Sequence, residues 1–271
     1  MTEETVRVGD QRIAYLSSSG TGRAVVFVHG NSASARTWRP LVDGPFGQRF
    51  RSLALDLPGH GDSAPATDPA QYSLPGYAQV LTGFASALGA ADAVFVGWSL
   101  GGHIVLEVAP ALPQAAGFVI FGTPPVASAA QMGEAFFPNP AMNVGFSADV
   151  TPDDALAFAS SFTAPGSSLP LDDFTADILR TDGAARAGLI ASIGEGRFAD
   201  EIAVVTALRQ PLAIIHGADE QLVSLPYLRQ LSIPALWREQ VQVLPGAGHA
   251  AHLEHTDEFA RLLTEFIAHL G

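Results

Sequence analysis

The chain contains no cysteine and no lysine. Without cysteine there is no disulfide framework, no thiolate zinc site, no iron–sulfur cluster and no thiol nucleophile. Without lysine there is no Schiff base, no pyridoxal chemistry and no P-loop lysine. Arginine therefore supplies all 14 basic residues, against 27 acidic ones, and the net charge is −13. That charge repels phosphate backbones, so no nucleic-acid partner is expected. No apolar run approaches the ~20 residues of a membrane helix. The start, Met1-Thr2-Glu3-Glu4-Thr5, lacks the basic opening and apolar stretch of a secretory signal. A cytoplasmic protein with no membrane partner is the expectation.

What remains is ample for a core: 271 residues, of which 48% are hydrophobic. Short apolar runs rich in branched residues recur at Ala24–Val28, Ser52–Leu55, Ala93–Val96, Phe118–Phe121, Leu212–Ile215 and Val241–Leu244. Continuous rather than alternating apolar character predicts strands buried on both faces, as in a parallel sheet. Between them Tyr77–Leu88, Leu100–Leu112 and Asp257–Leu270 read as helices. Alternating strands and helices predict an α/β fold, a mostly parallel sheet flanked by helices.

The alternation breaks between Thr123 and Arg209, where prolines are frequent and helical pieces such as Pro152–Ser161 and Asp172–Arg180 are short. This stretch predicts a helical cap. The expected division is a core of 1–122 and 208–271, with 123–207 as the lid over the carboxyl ends of the strands.

Gly97-Trp98-Ser99-Leu100-Gly101-Gly102 carries the chemistry. A G-x-S-x-G match alone is weak, but here a buried strand precedes it and a helical pattern follows. That is the setting of a nucleophile elbow, a turn so tight that its neighbours must be small. Serine needs a base to take its proton. Pro245-Gly246-Ala247-Gly248-His249 follows a late strand and supplies His249. His252 and His255 read as the solvated start of the last helix rather than metal ligands, and no metal is expected. His29, His103 and His216 read as packing or loop residues. His60 and Asp62, in the turn-rich stretch Asp56–Ser63, read as ordering that loop. The acid that orients His249 comes after the strand Leu212–Ile215, where Asp219 and Glu220 compete.

In this order these stretches resemble the α/β-hydrolase superfamily over essentially the whole chain. Within it the chain looks similar to metal-independent N-acyl-homoserine lactone lactonases, the quorum-quenching hydrolases. The stretches that carry this are His29-Gly30-Asn31-Ser32, Gly97–Ile104, Gly122-Thr123-Pro124-Pro125-Val126-Ala127 and Arg180–Arg186. The superfamily's spacing from Gly217 selects Glu220 over Asp219. The resemblance implies an oxyanion hole from the N–H groups of Asn31 and Leu100. It also implies a pocket lined by Gly30, Trp98, Phe136, Phe137, Phe158 and Phe162. The phenylalanines can equally serve to seat the lid on the sheet. Where such lactonases can place a cap tyrosine near the reacting carbonyl, this chain reads Ala157-Phe158-Ala159. Either Phe158 lines an acyl pocket without that hydrogen bond, or the substrate differs.

The expected activity is cofactor-free serine hydrolysis of a small-molecule carboxylic ester or lactone, by a monomer or homodimer. The alternatives are a carboxylesterase, a carbon–carbon bond hydrolase, a perhydrolase or haloperoxidase, and a small-molecule receptor on a hydrolase scaffold.

Overall fold

The computed structural model describes residues 1–271. Its frame is one eight-stranded sheet of β1 (Thr2–Val8), β2 (Gln11–Ser17), β3 (Gly22–Val28), β4 (Phe50–Leu55), β5 (Val94–Trp98), β6 (Gly117–Phe121), β7 (Leu212–Gly217) and β8 (Gln242–Leu244). In space the order is β1-β2-β4-β3-β5-β6-β7-β8. β2 runs antiparallel to both β1 and β4, and the remaining pairs are parallel. The strands expected from apolar runs are all present. Central ones such as Val25–Val28 and Val94–Val96 have no exposed surface, because helices cover both faces. β1 has no such run, whereas β2, which was not among the expected strands, carries one in the buried Ile13–Leu16. β1 is an edge strand facing water, where Glu3, Glu4 and Arg7 are compatible with a ladder on one side only.

Seven longer helices complete the chain: α1 (Leu74–Ala87), α2 (Leu100–Val108), α3 (Pro152–Ser160), α4 (Asp172–Arg180), α5 (Gly183–Gly194), α6 (Glu201–Ala207) and α7 (Thr256–His269). α1 begins three residues before the predicted Tyr77, because Ser73 caps it by accepting the Gly76 N–H and Pro75 suits its first turn. α2 ends earlier than the predicted Leu112. Pro110 has no N–H to continue the ladder, and the chain tightens into a 3₁₀ turn over Ala109–Ala111. α7 buries Phe259, Leu262, Leu263, Phe266 and Ile267, the apolar stripe read from its 3.6-residue period. No helix is long and apolar enough to cross a membrane.

Helices α3 to α6 lie in the long connection from β6 to β7. α3 opens with a capping box between Thr151 and Asp154. α5, too rich in alanine and glycine to show a clear stripe, is fixed at its start by Asp182, which accepts the Ala184 N–H. The buried Arg186 of α5 donates to the carbonyls of Ser147, Ala148 and Ile178. This connection is tied to the rest by polar seams. Asp177 of α4 accepts from Ser34 Oγ and Arg36, both at 2.5 Å. Asp182 accepts from Tyr72 Oη at 2.6 Å.

Candidate active site

Ser99 stands between β5 and α2 with φ 54°, a left-handed conformation that costs a non-glycine residue about 1–2 kcal/mol. The turn holds because its neighbours are small. A Cβ on Gly97 would lie 2.3 Å from the Gly101 carbonyl oxygen, and one on Gly101 would lie 2.2 Å from that of Val28. The Ser99 N–H donates to the Phe121 carbonyl at 2.9 Å, and Thr123 Oγ1 donates to the Ser99 carbonyl at 2.8 Å. The strain is thereby held in place and the side chain faces the cavity described below.

His249 follows β8. Its Nδ1 is 2.9 Å from Glu220 Oε2, and both side chains are 2% exposed. A carboxylate only accepts, so Nδ1–H is the donor and Nε2 is left free to take a proton. Nε2 is buried and has no partner within the protein. The other Glu220 oxygen accepts the Leu222 N–H at 2.8 Å, which fixes the carboxylate. Asp219, the competing acid, is exposed. Trp98 Nε1 donates to the His249 carbonyl at 2.9 Å. Glu254 accepts from Gly248 N at 2.7 Å and Ala164 N at 2.9 Å. The histidine loop is thus pinned to both strand β5 and the segment after α3. Gly122, at φ 60°, leaves room for the imidazole: a Cβ there would lie 2.6 Å from His249 Cε1.

Asn31 and Leu100 line the same cavity as Ser99 and His249. Leu100 is the first residue of α2, where an N–H has no intrahelical acceptor and is free for an anion. Asn31 is steadied by its Nδ2, which donates to the Gly145 carbonyl at 2.6 Å. The loop beneath is built on neutral histidines and one carboxylate. His29 Nδ1 donates to the Gly30 carbonyl, and its Nε2 accepts the Leu57 N–H at 3.0 Å. Burial drives its pKa down to about 3. His60 is likewise lowered by burial to about 4. Asp56 accepts the N–H groups of Ala35 and Asp62, while burial raises its pKa to about 6. Asp56, inside a stretch read only for turn formers, is the organiser of that loop.

The cavity has a volume of about 190 Å³, and 14 of its 20 lining residues are hydrophobic. Gly30, Trp98, Phe136, Phe158 and Phe162 line it as expected. Phe137 does not: it is 41% exposed, because adjacent residues of the extended stretch after Ala135 point to opposite sides. His252 also departs from expectation. Rather than a solvated helix start, it is 1% exposed and packed among Trp38, Trp98, Phe121 and Phe259. The turn Ala251–Glu254 folds inward before α7 begins. Burial lowers the pKa of His252 to about 3, and neither ring nitrogen has a partner. His103, read as packing or loop, lies in α2 and lines the cavity, with Nδ1 2.7 Å from Glu201 Oε1. Glu201 is separated from it by 98 residues, so no local spacing in the sequence couples them.

Arranged in this way, the cavity offers a hydroxyl at a helix N-terminus, an imidazole oriented by a buried carboxylate, and backbone donors for a developing oxyanion. Residues 25–262 match the family described as "Alpha/beta hydrolase family". The fold superposes on N-acyl homoserine lactonase AidH complexed with N-butanoyl homoserine with a TM-score of 0.95. The two are 34% identical, over 100% of this chain and 97% of that one. A curated relative, the pimeloyl-[acyl-carrier protein] methyl ester esterase of Stenotrophomonas maltophilia (strain R551-3), is 26% identical, over 95% of this chain and 97% of its own. Esterase RhEst1 from Rhodococcus sp. ECU1013 shares the fold, with a TM-score of 0.82 at 24% identity over 100% of each chain.

Proposed function

Because this chain belongs to the alpha/beta hydrolase family, we propose that it is a serine hydrolase that opens N-acyl homoserine lactones through an acyl-enzyme. Ser99, His249 and Glu220 act as the triad. The observation that carries this reading is the buried 2.9 Å contact of His249 Nδ1 with Glu220, in a cavity that also holds Ser99 at a strained strand-to-helix turn. The lactone is favoured by the end-to-end similarity to the lactonase, at 34% identity.

Ser99 Oγ attacks the lactone carbonyl as its proton passes to His249 Nε2. The N–H groups of Asn31 and Leu100 receive the oxyanion. Collapse breaks the ring C–O bond, and His249 returns the proton to the departing alcohol, which stays tethered to the acyl-enzyme. Water then gives a proton to His249 and attacks the ester, releasing the N-acyl homoserine and restoring Ser99. Glu220 holds the productive tautomer and offsets the imidazolium charge. Trp98, Phe158 and Phe162 form an apolar wall beside the reacting carbonyl, with phenylalanine rather than tyrosine at 158.

An acyclic acyl ester is the second reading, favoured by the similarity to the methyl ester esterase; the steps are the same, but the alcohol departs. A panel of N-acyl homoserine lactones, methyl esters and aryl esters of matched chain length, assayed under one condition, separates the two. A higher kcat/KM for the lactones supports the first, and a higher value for the acyclic esters replaces it with the second.

A further inference from the structure

Six of the cavity-lining residues are not hydrophobic: Gly30, Asn31, Ser99, His103, Glu201 and His249. Asn31, Ser99 and His249 belong to the proposed hydrolytic machinery, and Gly30 has no side chain to offer. His103 and Glu201 are left over, and they are bonded to each other at 2.7 Å. Glu201 is 1% exposed. A buried carboxylate in an apolar wall is costly unless it is paired. Its Oε2 accepts the Val126 N–H at 2.9 Å, and its Oε1 takes His103 Nδ1–H. The carboxylate therefore fixes the imidazole's tautomer and orientation, as second partners do for functional histidines.

The other nitrogen, His103 Nε2, makes no hydrogen bond in the protein and is not among the sealed, unpartnered atoms. It belongs to a half-buried side chain on the cavity wall. A residue that served only to satisfy Glu201 needs no open second nitrogen there. His103 stands one helical turn beyond Ser99 on α2, its N–H donating to the Ser99 carbonyl. Both residues line the one cavity.

We propose that the His103–Glu201 pair is a polar subsite that favours, among the substrates this cavity takes, those whose acyl chain carries a hydroxyl over those with a plain chain. With Nδ1–H given to Glu201, Nε2 is the atom left to bond that hydroxyl. An unsubstituted chain leaves Nε2 unpaired when water is displaced, and a site built to bond a hydroxyl discriminates against the analogue that lacks it. His103 touches substrate in this account, while Glu201 is a positioning residue. The inference deepens the proposed acyl-enzyme reading and rests on it.

The test compares p-nitrophenyl hexanoate with p-nitrophenyl 3-hydroxyhexanoate and reads, for each variant, the ratio of kcat/KM for the hydroxy ester to that for the plain one. His103→Leu is expected to lower this ratio at least tenfold. His103→Gln, whose amide can take the place of Nε2, is expected to retain much of it. If His103→Leu fails to fold because Glu201 is stranded, His103→Leu/Glu201→Leu removes the buried charge with its partner and carries the same expectation. A ratio unchanged within twofold in the folded leucine variants overturns the subsite. Failure of the underlying reading looks different: wild type and Ser99→Ala then hydrolyse the plain ester alike.

Discussion

At Ser99 a backbone conformation that serine rarely adopts is fixed by a carbonyl contact on either side and by two glycines that admit no Cβ. At Glu220 the choice between neighbouring acids is made by burial and distance, since Asp219 is exposed and only Glu220 reaches His249. Glu220→Gln is therefore expected to lower kcat for an aryl ester by roughly 10³–10⁴-fold, because the imidazole loses its tautomer and counter-charge. Asp219→Asn is expected to stay within threefold of wild type. Equal losses in the two variants, measured side by side, contradict the assignment. The residues proposed to bear this chemistry stand in short local patterns, a serine between glycines and a histidine after a late strand. His103 with Glu201, Asp56 and Glu254 were not legible, since each acts through partners that only the fold brings near.

Strands β3 to β7 were legible because burial on both faces leaves a largely continuous apolar run; β8, at the sheet's other edge, shows only a short run broken by Gln242. β1 was not legible, because an edge ladder tolerates charge and needs no such run; β2, paired on both sides, carries the short run Ile13–Leu16 between polar residues, and it went unread. In α5, alanine and glycine blur the stripe, so its place depends on Arg186 and the Asp182 cap rather than on periodicity. The tip of β6 bears directly on activity. Gly122 there has φ 60° and leaves the imidazole of His249 its space. Gly122→Ala is expected to push the ring out of line and lower kcat about 100-fold, the usual consequence of a misplacement near 1 Å. A kcat within twofold of wild type, determined on folded protein, refutes this packing argument.

The molecule as a whole carries −13 at neutral pH, yet its acid stability depends on groups that stay neutral inside. His252 has a folded pKa of about 3, against ~6.5 when unfolded. Between those values the unfolded chain binds a proton that the folded chain does not. Stability is therefore present above the unfolded pKa and lost as pH falls below it. His252→Leu removes that proton uptake. From pH 7 to pH 5 the wild type should lose about 2 kcal/mol more than the variant, read from urea unfolding midpoints at the two pH values. Parallel losses rule out a buried neutral His252.

One measurement bears on the account most directly: the rate at which wild type and Ser99→Ala convert N-hexanoyl homoserine lactone to N-hexanoyl homoserine, at equal concentrations of folded protein. The account predicts rapid ring opening by wild type and a loss of about 10⁴-fold or more in the variant. Ring opening by Ser99→Ala at the wild-type rate contradicts it.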